Sequence, residues 1–170
     1  SSASAAAPRT AGGYGSLFRN ARLMLYLGYS FSIQATLGFY YSFFPIYLTQ
    51  LGGDNALIGW SMFISSLAEL PFLLFSGRIL QRIPIGAVLA CAGVAAGLRW
   101  LLFSQIDDPY WILPVQALHG CIFIVLTVAM ATYINRTVAP EWKASGQALH
   151  GLISFGAARI TGSLIGGLIC

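Results

Sequence analysis

Five long apolar segments dominate this sequence, and short polar breaks separate them. The segments cover about residues 23–48, 56–76, 83–103, 110–134 and 148–169. Each reaches about 20 residues, the length at which an α-helix crosses a hydrocarbon core about 30 Å thick. None has the apolar and polar alternation that is typical of outer-membrane barrel strands. The sequence therefore predicts an all-α membrane protein with five transmembrane helices.

The composition excludes an ordinary soluble domain. Charged residues make up 8% of the chain and hydrophobic residues 57%, whereas soluble domains carry about 25% charged residues. The breaks between segments, such as 51–55 and 107–109, are short and contain Gly, Asp and Pro. Short connections of this kind make successive helices antiparallel neighbours.

The basic residues outside the apolar segments predict the orientation. Seven of them share one end of the predicted bundle: Arg9, Arg19, Arg22, Arg78, Arg82, Arg136 and Lys143. The loops at the other end carry Asp54, Asp107 and Asp108 and no Lys or Arg. The positive-inside rule then places the N-terminus in the cytoplasm. The net charge of +4 reflects this topology, and no basic cluster favours a nucleic-acid partner.

Three charged residues lie inside the apolar segments: Glu69, Arg99 and Arg159. Each costs at least about 2.5–3.5 kcal/mol at the bilayer centre. Glu69 and Arg99 have two readings: an ion pair that only fixes helix registry, or part of a functional cavity, which is the usual role of ionisable residues inside membranes. Arg159 has further alternatives, because it could extend to the interface or neutralise Glu69.

Polar residues in the fourth segment extend this candidate site. Gln116 precedes His119 by three residues, so the two share one helix face. His119 could also be an ordinary hydrogen-bonded interior histidine. Gly120 allows another helix to approach closely. The small residues Ala158, Gly162 and Gly166 in the last segment predict close helix packing within the bundle.

Candidate cavity-lining residues include aromatic side chains as well as polar ones. Tyr40, Tyr41 and Trp100 suit an aromatic or sugar ring, and either Arg99 or Arg159 could hold a carboxylate with two hydrogen bonds. A small organic acid is the favoured solute for a site with these side chains, with a saccharide or nucleoside as the alternative. The three cysteines are widely spaced, which fits neither a metal site nor a disulfide framework. We therefore expect no metal and no cofactor.

Several strings together resemble the major facilitator superfamily. They are Ala-Glu-Leu-Pro-Phe at 68–72, Leu-Arg-Trp at 98–100, Gln-Ala-Leu-His at 116–119 and the basic segment at 77–82. Their order and spacing are similar to the C-terminal half of a permease of the phenylpropionate permease group, which is related to lactose permease and to the nucleoside and proton symporters. The resemblance extends over nearly all of residues 20–170.

The resemblance implies most of the six-helix C-terminal half of a twelve-helix fold, with spans seven to eleven present and the last span missing. Residues 1–20 would be the cytoplasmic linker from an N-terminal half that is also missing, and residues 21–170 the C-terminal half. A missing initiator Met and the odd number of spans likewise suggest a fragment of a longer chain. The membrane would be the bacterial inner membrane.

The resemblance also implies a function: secondary active transport by alternating access, with proton symport of a small organic solute. Glu69 and Arg99 would contribute to substrate binding and proton coupling, with His119 as a hydrogen-bonding partner. Lactose permease has a second glutamate one turn after its histidine, and this chain has Ile122 there, so Glu69 becomes the candidate coupling carboxylate. The alternatives are a non-transporting membrane scaffold or an intramembrane enzyme, although no nucleophile with its base is visible.

Overall fold

A computed structural model describes residues 13–169, and every regular element in that range is a helix. In chain order the α-helices are α1 (Gly13–Arg19), α2 (Ala21–Gln50), α3 (Asn55–Arg82), α4 (Ile85–Phe103), α5 (Ile112–Val115), α6 (Ala117–Thr137), α7 (Lys143–His150) and α8 (Ala158–Ile169). Turns of 3-10 helix at Pro109–Trp111 and Pro140–Trp142 precede α5 and α7, and a π-helical segment, Gly151–Ala157, joins α7 to α8.

The predicted all-α membrane fold is confirmed. Four helical stretches of the described residues are long and apolar enough to cross a membrane: Asn55–Arg82, Ile85–Phe103, Ala117–Thr137 and Pro140–Ile169. They correspond to the second to fifth predicted spans. The first predicted span is α2, which is long enough at 30 residues. Its serine, tyrosine and glutamine side chains lower its mean hydropathy, and it is not one of the four.

The second span is longer than predicted, because α3 continues to Arg82 instead of ending near Ser76. Residues 77–82, the basic segment that follows the predicted span, are therefore the last turns of this helix. The helix ends where Pro84 disfavours a helical backbone at the preceding residue. Ile83 is accordingly extended, with φ −112° and ψ 133°.

Part of the predicted linker segment is helical. The first twelve residues lie outside the described range, but Gly13–Arg19 forms α1. Its Leu17 is 4% exposed and belongs to the same apolar core as α2, α4 and α6. The predicted boundary at residue 20 coincides with a break between helices, because Asn20 caps α2 by accepting a hydrogen bond from the backbone N–H of Leu23.

Two pairings organise the bundle: α2 packs along α8, and α6 packs against both α3 and α4. Both depend on glycine. A Cβ atom on Gly120 of α6 would collide with the backbone of Ala68 and Glu69 in α3, and one on Gly162 of α8 would collide with the carbonyl of Ala35 in α2. The small residues of the last span thus serve packing within the chain, as predicted, and the contact at Gly120 brings α6 directly beside Glu69.

Candidate functional site

Gln116 joins four helical spans through its side-chain amide. It lies between α5 and α6 and is completely buried. Its Oε1 accepts hydrogen bonds from Arg99 Nη2 at 2.9 Å and from Ser65 Oγ at 3.0 Å, and its Nε2 donates to the hydroxyl of Tyr40 at 2.8 Å. Because Tyr40, Ser65 and Arg99 lie on α2, α3 and α4, one amide holds these helices in register. We call these four residues the Gln116 cluster.

Arg99 is sealed inside the bundle, with 1% of its surface exposed. Its guanidinium carbon lies 4.0 Å from the centre of the Tyr40 ring and 4.7 Å from that of Phe103. Stacking on aromatic faces and the hydrogen bond to Gln116 offset part of the cost of burying the charge. Within the part of the chain that the structure describes, no carboxylate pairs with this cation.

Glu69, His119 and Tyr41 form a second group on the same spans. Nε2 of His119 shares a hydrogen bond of 2.7 Å with the Tyr41 hydroxyl and lies 3.8 Å from Oε1 of Glu69. His119 is 1% exposed, whereas the side chain of Glu69 is 23% exposed and Tyr41 38%. This second group, which we call the Glu69 cluster, therefore reaches from the interior to an open face of the bundle.

The two clusters meet at adjacent tyrosines. Gln116 binds Tyr40 and His119 binds Tyr41, so the two polar residues predicted to share a helix face both point to α2. The rings of Tyr40 and Tyr41 lie 5.2 Å apart. A change in the position of α2 would therefore alter both clusters together.

Of the two interpretations of Glu69 and Arg99, the ion pair does not form among the described residues. Among the described residues the acid of the pair approaches His119, and the arginine binds Gln116 instead. Sequence spacing places both residues at similar depth, but it does not fix how α3 and α4 are rotated about their axes. Arg99 instead stacks on Tyr40 and Phe103.

Arg159 lies near the Glu69 cluster, in α8. Its guanidinium carbon is 5.1 Å from the centre of the Tyr41 ring, with Phe155 and Phe123 at 5.6 Å and 5.8 Å. Trp100 is a member of neither cluster, although it lines the larger of two clefts together with Tyr40. It packs against Phe39 and Phe103 and lines two apolar clefts of about 400 and 530 Å³.

One group of buried polar residues was not identified from the sequence. Ser30 of α2 and Ser154 of the π-helical segment share a buried hydrogen bond of 3.0 Å. Gln34, one turn after Ser30, is completely buried with an unpaired amide, and Nε2 of His150 is likewise unpaired. The signal for this group was the spacing of Ser30, Gln34 and Gly38 at intervals of four, which is one helix face.

No group of three His, Cys, Asp or Glu side chains that could hold a metal ion occurs among residues 13–169. The side chains that do converge are one acid, two arginines and several neutral hydrogen-bonding groups. They suit the binding of a polar organic solute and the transfer of protons between Glu69, His119 and Tyr41.

Comparisons with known proteins place this geometry in context. The family described as "MFS_1 like family" matches residues 3–170. Among curated proteins, the chain is 26% identical to a maltose permease of Geobacillus stearothermophilus over 75% of this chain and 32% of that protein. It is 27% identical to a nucleoside permease of Escherichia coli, over 90% of this chain and 40% of the relative.

A further relative is the Escherichia coli protein named "Probable 3-phenylpropionic acid transporter", with 24% identity over 60% of this chain and 27% of that protein. No solved structure matches the chain significantly. The chain thus spans between 27% and 40% of the length of these curated relatives.

Proposed function

Because the chain belongs to the MFS_1 like family, within the major facilitator superfamily, we propose that it forms part of a secondary transporter that moves a small organic solute together with protons by alternating access. The family and its transporter relatives favour this role over an enzymatic one. The chain covers only part of each relative, and the proposed transporter therefore includes a second half that supplies the other wall of the site. In this proposal the chain is the C-terminal half, and residues 1–20 connect the two.

The observation that carries the proposal is the pair of adjoining polar clusters inside otherwise apolar spans. Structural packing alone does not require Glu69, His119, Arg99 and Arg159 on four different spans, and ionisable groups in membranes usually mark substrate or ion pathways. The Gln116 cluster is sealed and holds helices together. The Glu69 cluster is partly exposed, and it is where a solute or a proton can enter.

Glu69 is the proposed coupling residue. The Tyr41 hydroxyl and the Glu69 carboxylate both approach Nε2 of His119, so the three side chains form one group of neighbouring proton donors and acceptors. When one half of a transporter rocks against the other, water gains or loses access to the central site. Such a change would load or release a proton at Glu69 as the solute site changes sides.

The proposed class of solute depends on the side chains at the open face of the bundle, beside the Glu69 cluster. Relatives are named for maltose, nucleosides and 3-phenylpropionic acid. For this chain we favour an organic acid, with a sugar or nucleoside as the alternative. The membrane in the proposal is the bacterial inner membrane, with the end that carries Arg78, Arg82 and Arg136 in the cytoplasm.

Glu69→Gln tests the proposal in proteoliposomes that contain the complete polypeptide to which this chain belongs. We expect this variant to lose uphill uptake driven by a proton gradient and to retain counterflow exchange, which needs no net proton movement. Glu141→Gln is the matched control, because Glu141 is an exposed acid in the connection before α7. Uphill uptake at the wild-type rate in Glu69→Gln would remove this residue from the coupling mechanism.

The wild-type protein in the same assay separates a transporter from a membrane scaffold. A transporter exchanges radiolabelled solute across the bilayer even without a gradient, because alternating access needs only a binding site that changes sides. Absence of counterflow for organic acids, sugars and nucleosides alike would reject the transport function.

A further inference from the structure

Arg159 has no anionic partner among residues 13–169. Three rings from α2, α6 and the π-helical segment surround its guanidinium at 5.1–5.8 Å: Tyr41, Phe123 and Phe155. Its Nε is buried and has no hydrogen-bond partner. Among the described residues, the guanidinium makes no hydrogen bond and no ion pair. Its N–H donors are therefore unused.

An arginine in this position needs a further partner. An arginine inside a membrane is costly unless it is paired, and cation–π contacts with partly exposed rings offset only part of that cost. Glu69, the acid within the predicted spans, lies beside His119 instead. The planar guanidinium is shaped to bind a carboxylate with two parallel hydrogen bonds.

Arg99 and Arg159, which the sequence left as alternative residues for binding a carboxylate, differ in their accessibility. Arg99 is 1% exposed, hydrogen-bonded to Gln116 and stacked on Tyr40, so a solute cannot reach it without opening the bundle. Arg159 is half-buried beside Tyr41, which is 38% exposed. Of the two, only Arg159 combines access with unused donors.

We propose that Arg159 binds the carboxylate group of the transported solute, and that this residue makes the site selective for small carboxylates with an aromatic or apolar body. This inference rests on the proposed function and names the substrate class of the same site. The rings that hold the guanidinium present apolar faces to the body of such a solute. Glu69 remains available for the proton, because its ionisable neighbour among the described residues is His119 and not Arg159.

The test compares binding of phenylacetate and its uncharged isostere phenylacetamide to the complete purified protein, by isothermal titration calorimetry in detergent. The wild-type protein should bind the acid about tenfold or more tightly than the amide, because hydrogen bonds to charged groups are stronger than neutral ones. Arg159→Gln should lower the affinity for the acid to that for the amide and leave the amide unchanged.

Two further variants make the result specific. Arg159→Lys keeps the charge but loses the two parallel hydrogen bonds, and should bind the acid with intermediate affinity. Arg78→Gln is the matched control, because Arg78 also stacks on an aromatic ring, that of Phe75 at 5.5 Å, but is exposed near the end of α3. It should keep the wild-type affinity for both compounds. If Arg159→Gln does not fold, an unchanged affinity for the acid in Arg159→Lys overturns the inference.

The inference is also overturned if the wild-type protein binds neither compound or binds the acid no better than the amide. It is likewise overturned if Arg159→Gln still binds the acid more tightly than the amide. These outcomes do not touch the proposed transport function, because counterflow of a sugar or nucleoside would still support it. Absence of counterflow for every solute would reject transport, whereas an acid preference that depends on Arg159 would still establish the anion site.

Discussion

At the scale of single residues, the molecule concentrates its polar contacts on one uncharged side chain. Gln116 has no charge to neutralise, yet its amide satisfies a cation, a phenol and a serine hydroxyl from three other helices. An amide can do this because it carries both acceptor and donor atoms. A carboxylate at this position would accept hydrogen bonds but would have no N–H to offer Tyr40. The choice of glutamine therefore suits this geometry.

Gln116→Leu should destabilise the protein more than Ser65→Ala. The leucine leaves the guanidinium of Arg99 and the Tyr40 hydroxyl without their partner, and a hydrogen bond to a charged group contributes about 1.5–3 kcal/mol. Removing Ser65 Oγ takes away one neutral hydrogen bond, for which about 1 kcal/mol or less is expected. Unfolding in mixed detergent micelles measures both changes, and equal losses would contradict the central role of Gln116.

A double-mutant cycle tests whether Glu69 and Arg99 act separately. Because they share no hydrogen-bond partner, the effects of Glu69→Gln and Arg99→Gln on the free energy of unfolding should add within about 0.5 kcal/mol. Arg99→Gln combined with Gln116→Leu should instead show a coupling of about 0.5–3 kcal/mol, because these residues touch. A large coupling in the first cycle would restore the ion pair that the sequence suggested.

At the scale of helices, glycine decides which elements come close enough to build the site. The approach of α6 to α3 at Gly120 places His119 beside Glu69, and the approach of α8 to α2 at Gly162 places Arg159 beside Tyr41. Both polar contacts lie within three residues of a close backbone contact. The packing of the bundle and the geometry of the candidate site therefore have the same origin.

Gly120→Ala should destabilise the protein, whereas Gly97→Ala should not. The added methyl group at residue 120 meets the α3 backbone, which cannot move as a side chain can, and overpacking of this kind costs about 1–3 kcal/mol. Gly97 in α4 has open space around it, so alanine there should be neutral or stabilising by up to about 1 kcal/mol through helix propensity. Thermal unfolding compares the two variants, and equal melting temperatures would contradict the close contact.

Much of this architecture could be predicted from the sequence, and the exceptions have physical causes. The length of each apolar segment located the spans, and Gly120 predicted a close contact between two helices. The π-helical segment at 151–157 could not be predicted, because apolar residues on a π-helical turn have no period distinct from that of an α-helix over so short a stretch. The partner of Arg99 was missed for a different reason: periodicity fixes the face of each helix but not which neighbour that face meets.

At the scale of the whole molecule, charge separates the two ends of the bundle. Arg136 donates two hydrogen bonds of 3.3 Å to the carbonyl of Leu80, which lies two residues before Arg82. The end of α6 and the end of α3 thus meet at the basic side. This is expected when successive spans alternate in direction, because the second and fourth spans then run the same way. Asp54 and Asp108 cap helical turns at the opposite side by accepting backbone hydrogen bonds.

Cysteine labelling in intact cells tests the orientation of these ends. After the native cysteines are replaced by serine, a cysteine at position 54 or 107 should react with a membrane-impermeant maleimide added outside. A cysteine at position 78 or 136 should react only after the membrane is permeabilised, because the basic end is expected to face the cytoplasm. Reaction at position 78 from outside would reverse the proposed topology.

The buried hydrogen bond between Ser30 and Ser154 has a consequence for biosynthesis. The two residues are 124 positions apart, so at about 5–20 residues per second Ser154 is made roughly 6–25 seconds after Ser30. During that delay Ser30, on the polar face of α2, lacks the hydrogen bond that Ser154 later provides. We therefore expect α2 to leave the insertion machinery late, held near it until the fifth span has been translated.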